Sequence, residues 1–309
     1  MCSTQSSTEN SLLIQRYTNH LEFERRYSPN TLAAVRRDLL LIDFPLEHAN
    51  TAQLKTLLAK RHASGAAPKS LARLASSWRG FYAFLVQEGV LSTNPTDTLK
   101  TPKLQKSLPK AVGVDELAAL LDGALPSEFK WAQAHTLIEL LYATGLRISE
   151  ALSLQCGQGA GEQGGVSYLH LAAREIRVQG KGNKTRVVPL IDTMMERFSE
   201  FLLQRNTHLQ QFNGLQTTCL FLSRKGKPLS ARQAQLDLAA YAQRKGLGQH
   251  LHPHMLRHSF GSHVLQGTQN LRAVQELLGH ASIASTQIYT ALDFSHLASV
   301  YDKAFPRAK

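Results

Sequence analysis

Apolar residues recur at helical spacing four times in the first ninety positions of the chain. Leu13, Ile14, Tyr17 and Leu21 fall on one face of a first helix, predicted to open with Ser11 as N-cap and to reach about Glu24. Met1 to Asn10 ahead of it are rich in Ser and Thr, with neither a basic start nor an apolar run, and read as a disordered tail rather than a secretory leader. A second helix is predicted from Ser28 as N-cap and Pro29 at its first position, through Leu32, Val35, Leu39 and Leu40. A third spans roughly Thr51 to Arg61 and stops near Gly65. The fourth, Lys69 to Gln87, places Leu71, Leu74, Trp78, Phe81, Phe84 and Leu85 on one stripe. Four amphipathic helices with little else predict a small all-helical domain over 1–95.

The periodicity breaks from Asn94-Pro95 to Val112. Pro102 and Pro109 favour extended chain, and Lys100, Lys103, Lys106 and Lys110 face a single acid, Asp97. Residues 96–112 are therefore expected to be a basic linker, either merely solvated or laid along a phosphate backbone. The second domain, 113–309, reads as mostly helical with a small sheet. Val166–Leu171, Glu175–Gln179 and Thr185–Leu190 have strand character, with Gly180 and Gly182 at the turn between the last two. Helices are predicted at about 192–205, 231–246, 254–266, 271–278, 283–289 and 293–304. The fold class expected is mainly α with a small antiparallel sheet, in two domains.

Composition sharpens this picture. With 309 residues and 43% hydrophobic content the chain can build two real cores. Its formal charge of +12 makes a polyanion, nucleic acid first, the partner to consider. Cys2, Cys156 and Cys219 are scattered and contain no CxxC pair, so neither a disulfide framework nor a zinc ribbon is indicated; a reducing cytoplasm suits them. The sequence has no run of about 18 apolar residues, which argues against a membrane-spanning helix.

Candidate chemistry lies in four segments of the second domain. Ala143-Thr144-Gly145-Leu146-Arg147-Ile148-Ser149-Glu150 sets an arginine just after a glycine break between two helices; read alone, Arg147 is more commonly an ion-pair partner of Glu150. Gly180-Lys181-Gly182-Asn183-Lys184-Thr185-Arg186 is a hairpin crowded with cations. It lacks the GxxxxGK[ST] order and the following helix of a nucleotide-binding loop, so it is either a solvated turn or a tip that enters a DNA groove. His252-Pro253-His254-Met255-Leu256-Arg257-His258 starts a helix and puts His254 and Arg257 on one face; with no HExxH and no carboxylate between the histidines, zinc is not expected. Finally, Leu278-Gly279-His280 precedes Tyr289 by nine residues, and Tyr289 alone would pass for an ordinary aromatic.

Taken together these residues suit attack on a phosphodiester. Negative charge grows on the phosphate oxygens during attack and needs fixed donors. Arg147 and Arg257 can each grip non-bridging oxygens with two N–H groups and stay charged. A phenol with its ordinary pKa near 10 needs nearby cations or a base, which the arginines and His254 supply to Tyr289. Lys181 can protonate the departing 5′-oxygen, and His280 can donate a further hydrogen bond. So cationic a site has no electrostatic need for Mg²⁺, and the sequence offers no carboxylate cluster to hold one.

The ordered set Arg147, Lys181, His254-x-x-Arg257, His280 and Tyr289 resembles the catalytic signature of the tyrosine recombinases of the phage-integrase type. ATGLRISE, GKGNKTR, HMLRHSF and LLGHASIASTQIYT are similar to that family's boxes, and the helical first domain is similar to its core-binding domain. The resemblance implies cleavage and rejoining of DNA through a 3′-phosphotyrosyl bond, with no metal, no nucleotide and no other cofactor. The tail Asp293 to Asp302, followed by Pro306-Arg307-Ala308-Lys309, is similar to the Xer group of the family. That implies a heterotetramer, two plus two, with a XerD-like recombinase on double-stranded recombination sites, control by an FtsK-like DNA translocase, and a role in resolving chromosome and plasmid dimers. A mobile-element integrase is the alternative, with a type IB topoisomerase behind it. Residues 156–165, glycine-rich and longer than the family pattern, are expected to be a flexible surface insertion. Arg232, Gln233, Gln235 and Arg244 are candidates for base contacts, or simply solvated helix-face residues.

Overall fold

The structure, a computed structural model, describes residues 2–101, 111–157, 166–179, 185–212 and 215–268, with side chains over residues 9–266 of these ranges. Lys181, His280, Tyr289, the helices expected at 271–278, 283–289 and 293–304, and most of the expected linker and glycine-rich insertion lie outside the described residues. The chain divides into two compact units, Met1–Ser107 and Leu108–Lys309.

In the first unit four helices surround one core: α1 Cys2–Phe23, α2 Pro29–Leu39, α3 Thr51–Ala63 and α4 Pro68–Gln87, with a 3₁₀ turn at Leu46–His48. Ser28 caps α2 by accepting from the N–H of Thr31, with Pro29 in the first turn where its missing donor costs nothing. Asn50 and Gln53 form a reciprocal capping box at the start of α3 (Gln53 N to Asn50 Oδ1, 2.9 Å; Asn50 N to Gln53 Oε1, 3.0 Å). The apolar stripe of α4 is buried, and Trp78 also donates its Nε1 to the carbonyl of Asp38 at 3.0 Å.

α1 corrects the expectation of a disordered tail, for it starts at Cys2, well ahead of Ser11. The side chain of Asn10 gives a physical reason: it donates to the carbonyl of Phe44 at 3.0 Å and accepts from the N–H of Leu46 at 2.9 Å, so it ties mid-helix to the 3₁₀ turn instead of ending a helix. Within the stretch expected as linker, Thr96 and Leu99 are buried, and Leu99 joins the core of the first unit.

The second unit is built around α6, Phe129–Thr144, which packs against α8 (Asp192–Gln210), α9 (Ala231–Arg244) and α10 (Pro253–Thr268), with α5 (Val114–Leu121) and α7 (Ile148–Leu152) alongside. Residues 132–144 of α6 are all buried, as suits a helix enclosed on every side. Three short strands, β1 Tyr168–His170, β2 Glu175–Gln179 and β3 Thr185–Pro189, form an antiparallel sheet in chain order. β1 and β3 are shorter than the sequence pattern suggests. α8 runs past the expected end at 205 because its last turns are held by tertiary contacts. Arg205 donates to the carbonyls of Thr217 and Cys219, and His208 stacks on Phe129 at 4.1 Å between centroids.

Candidate active site

α6 ends at Gly145, which adopts a left-handed φ of 60° that a side chain disfavours and donates its N–H to the carbonyl of Leu141. The reversal puts Leu146 in the core and leaves Arg147 as the N-cap of α7, on the outside of the break. Glu150, at the third position of α7, reaches back: Oε2 accepts from the Arg147 N–H at 2.8 Å and Oε1 from Arg147 Nη1 at 3.0 Å. The ion pair read from sequence is therefore made. It does not bury the arginine, whose side chain stays 46% exposed while that of Glu150 is 8% exposed.

β3 contributes a second guanidinium to the same carboxylate. Arg186 donates Nη1 to Oε1 at 3.1 Å and Nη2 to Oε2 at 2.8 Å, a two-pronged pair. Burial alone would push the Glu150 carboxyl up; hydrogen bonds from Arg186 and Arg147 and their charges outweigh it, and the group is held below its ordinary value.

α10 brings the third. Arg257 donates Nη1 to the carbonyl of Gly145, so the residue that turns the chain also receives the second arginine of the expected signature. Burial first, then the charges of Arg147 and Arg186, push the Arg257 guanidinium down to about 10, with Glu150 opposing; it remains a cation at neutral pH. His254 lies one turn earlier on α10 and is exposed. On the same helix Ser259, fully buried, accepts from the N–H of Val112 at 2.8 Å.

The described residues thus join Arg147 and Arg257 in one cationic cluster, with His254 one helical turn from Arg257. The other three expected site residues, Lys181, His280 and Tyr289, lie outside them. Among the described residues no group of three or more His, Cys, Asp or Glu side chains could hold a metal ion, and no helix is long and apolar enough to cross a membrane.

Sequence reasoning missed Arg186 and the hub role of Glu150. A signal was present. Arg186 pairs with Val178, which is fully buried, and Val188 two positions on is buried as well. Period-two alternation therefore turns Arg186 toward the core face, where a cation needs a buried anion. Of the base-contact candidates, Gln233 donates to Asp237 at 3.0 Å, and Arg244 lies 5.4 Å from the Trp131 ring centroid.

Known proteins resemble the chain over nearly all of its length. Residues 112–296 match the model of the Phage integrase family, and residues 14–89 match its N-terminal SAM-like domain. A protein of Pseudomonas putida named Tyrosine recombinase XerC is 42% identical over 307 residues, covering 96% of both chains. One of the same name from Chromobacterium violaceum is 44% identical over 301 residues, covering 96% of this chain and 95% of its own. Among solved structures, a post-cleavage complex of the XerH site-specific recombinase bound to a palindromic difH substrate is 25% identical. It covers 89% of this chain and 80% of that one, with a TM-score of 0.63.

Proposed function

Because the chain belongs to the phage integrase family and is a tyrosine site-specific recombinase, we propose that Tyr289 is its nucleophile and that Arg147, Lys181, His254, Arg257 and His280 complete the site. The phenolic oxygen of Tyr289 attacks the scissile phosphorus, its proton passing to His254. The bond from phosphorus to the 5′-oxygen breaks as Lys181 gives that oxygen a proton, leaving a 3′-phosphotyrosyl ester and a free 5′-hydroxyl. Arg147 and Arg257 hold the non-bridging oxygens as charge builds on them, and His280 adds a hydrogen bond. Rejoining reverses the steps with another strand's hydroxyl; the ester conserves the bond energy, so neither ATP nor metal enters.

The observation that carries this reading is that Arg257, 110 positions beyond Arg147 in sequence, bonds the carbonyl of Gly145 and lies near enough to Arg147 for their charges to interact. Residues 1–95, with Thr96 and Leu99 packed in, serve as a DNA-binding domain, the rest of 96–112 as a basic linker along the duplex, and 113–309 as the catalytic domain. The chain acts in the cytoplasm, together with a XerD-like sister as two plus two subunits and under an FtsK-like translocase, to resolve chromosome and plasmid dimers.

The nucleophile is tested with a nicked suicide duplex carrying the recombination site. The parent protein should form a covalent DNA adduct and Tyr289→Phe none; an adduct from the variant overturns the assignment. Strand exchange that runs to completion without a sister recombinase would instead favour a mobile-element integrase.

A further inference from the structure

Within the cationic cluster Arg186 is held more closely than Arg147. Its side chain is 17% exposed against 46% for Arg147, although both reach the same carboxylate. A carboxylate has about four acceptor positions. On Glu150 they are taken by the Arg147 N–H, by one Nη of Arg147 and by both prongs of Arg186. One guanidinium is thus engaged inward with its fork, and the other touches the carboxylate with a single prong and keeps half its surface in solvent.

We infer that Arg186 is a positioning residue for strand cleavage: by occupying both Glu150 oxygens with its fork, it stops Arg147 from closing onto Glu150 and keeps that guanidinium presented to the scissile phosphate. Without Arg186, two acceptor positions of a nearly buried carboxylate lose their partners, and Arg147 is the neighbouring cation already bonded to it. A second prong from Arg147 would satisfy the carboxylate at the expense of the phosphate. Lysine at 186 would restore the charge but not the fork. The inference rests on the reading that Arg147 grips phosphate.

The test is a double-mutant cycle on the full chain with three readouts: cleavage rate of a nicked suicide duplex at saturating DNA, DNA dissociation constant, and melting temperature. Arg186→Gln is expected to slow cleavage about 100-fold while changing DNA affinity less than about 3-fold, because the loss falls on the transition state. In a Glu150→Gln background, where no carboxylate competes for Arg147, adding Arg186→Gln should change the rate less than about 3-fold. An equal loss in both backgrounds overturns the inference and points to Arg186 meeting DNA directly. So does parent-like cleavage by Arg186→Gln. If Arg186→Gln melts below the assay temperature, Arg186→Lys carries the test: cleavage about 10-fold slower supports the fork, and a parental rate overturns it. Arg147→Lys separates this from the underlying reading. Normal cleavage by that variant removes the role of Arg147 and the inference with it, whereas an inactive Arg147→Lys beside a fully active Arg186→Gln removes the inference alone.

Discussion

Glu150 shows how an electrostatic detail becomes part of folding stability. Its carboxyl is held below its ordinary 4.5 in the folded protein, despite burial, by Arg186 and Arg147. The unfolded chain therefore takes up a proton first as pH falls. The stabilisation is present in full above the ordinary carboxyl value and is lost as pH drops through the folded one. Glu150→Gln should accordingly have a flatter acid limb: its melting temperature should decline less than the parent's when pH is lowered from about 6 to below 4.5. Parallel declines would mean that the pair contributes no linkage. At this scale the sequence was legible where a residue type is tied to chemistry, as with two arginines that match a phosphate. It was less legible at Arg186, whose identity makes sense only beside the acid it meets.

α10 and the break after α6 carry the site, and both are fixed by backbone contacts as much as by side chains. The Gly145 break was readable because glycine beside Leu-Arg reads as a helix end. That its carbonyl would accept from Arg257 was not, since the two residues are 112 positions apart. Likewise, Ser259 joins α10 to the N–H of Val112, and both residues are fully buried. Ser259→Ala would leave that donor without a partner in the core, which costs about 1–3 kcal/mol. The chemical-denaturation midpoint of the second unit should fall accordingly, and an unchanged midpoint would show that the contact contributes nothing to stability. Start signals were read correctly at Ser28-Pro29, where a local hydrogen bond decides. They misled at Ser11, because Asn10, one residue before it, engages the 3₁₀ turn through its side chain and the helix runs on toward Cys2.

Across the whole molecule the excess of 35 Lys and Arg over 23 Asp and Glu gives an affinity for polyanions that depends on released counterions. If the protein meets about six phosphates, the logarithm of its DNA association constant should fall against the logarithm of salt with a slope near −5. A fluorescence-anisotropy titration at several salt concentrations measures it, and a slope near zero would rule out backbone binding as the main term. The two-unit organisation could be anticipated because each half has its own apolar pattern. The boundary was less sharp, since Thr96 and Leu99, read as linker, are buried.

The chain by itself determined which elements form and which chemical groups are available, because helix periodicity, capping and the ordered Arg, Lys, His, Arg, His and Tyr set are local or type-specific. Only tertiary structure decided that Arg147, Arg186 and Arg257, from α7, β3 and α10, gather near one carboxylate. A buried negative charge must be met by whatever cations the packed elements deliver, and that meeting depends on where helices and strands lie in space, not on their spacing along the chain.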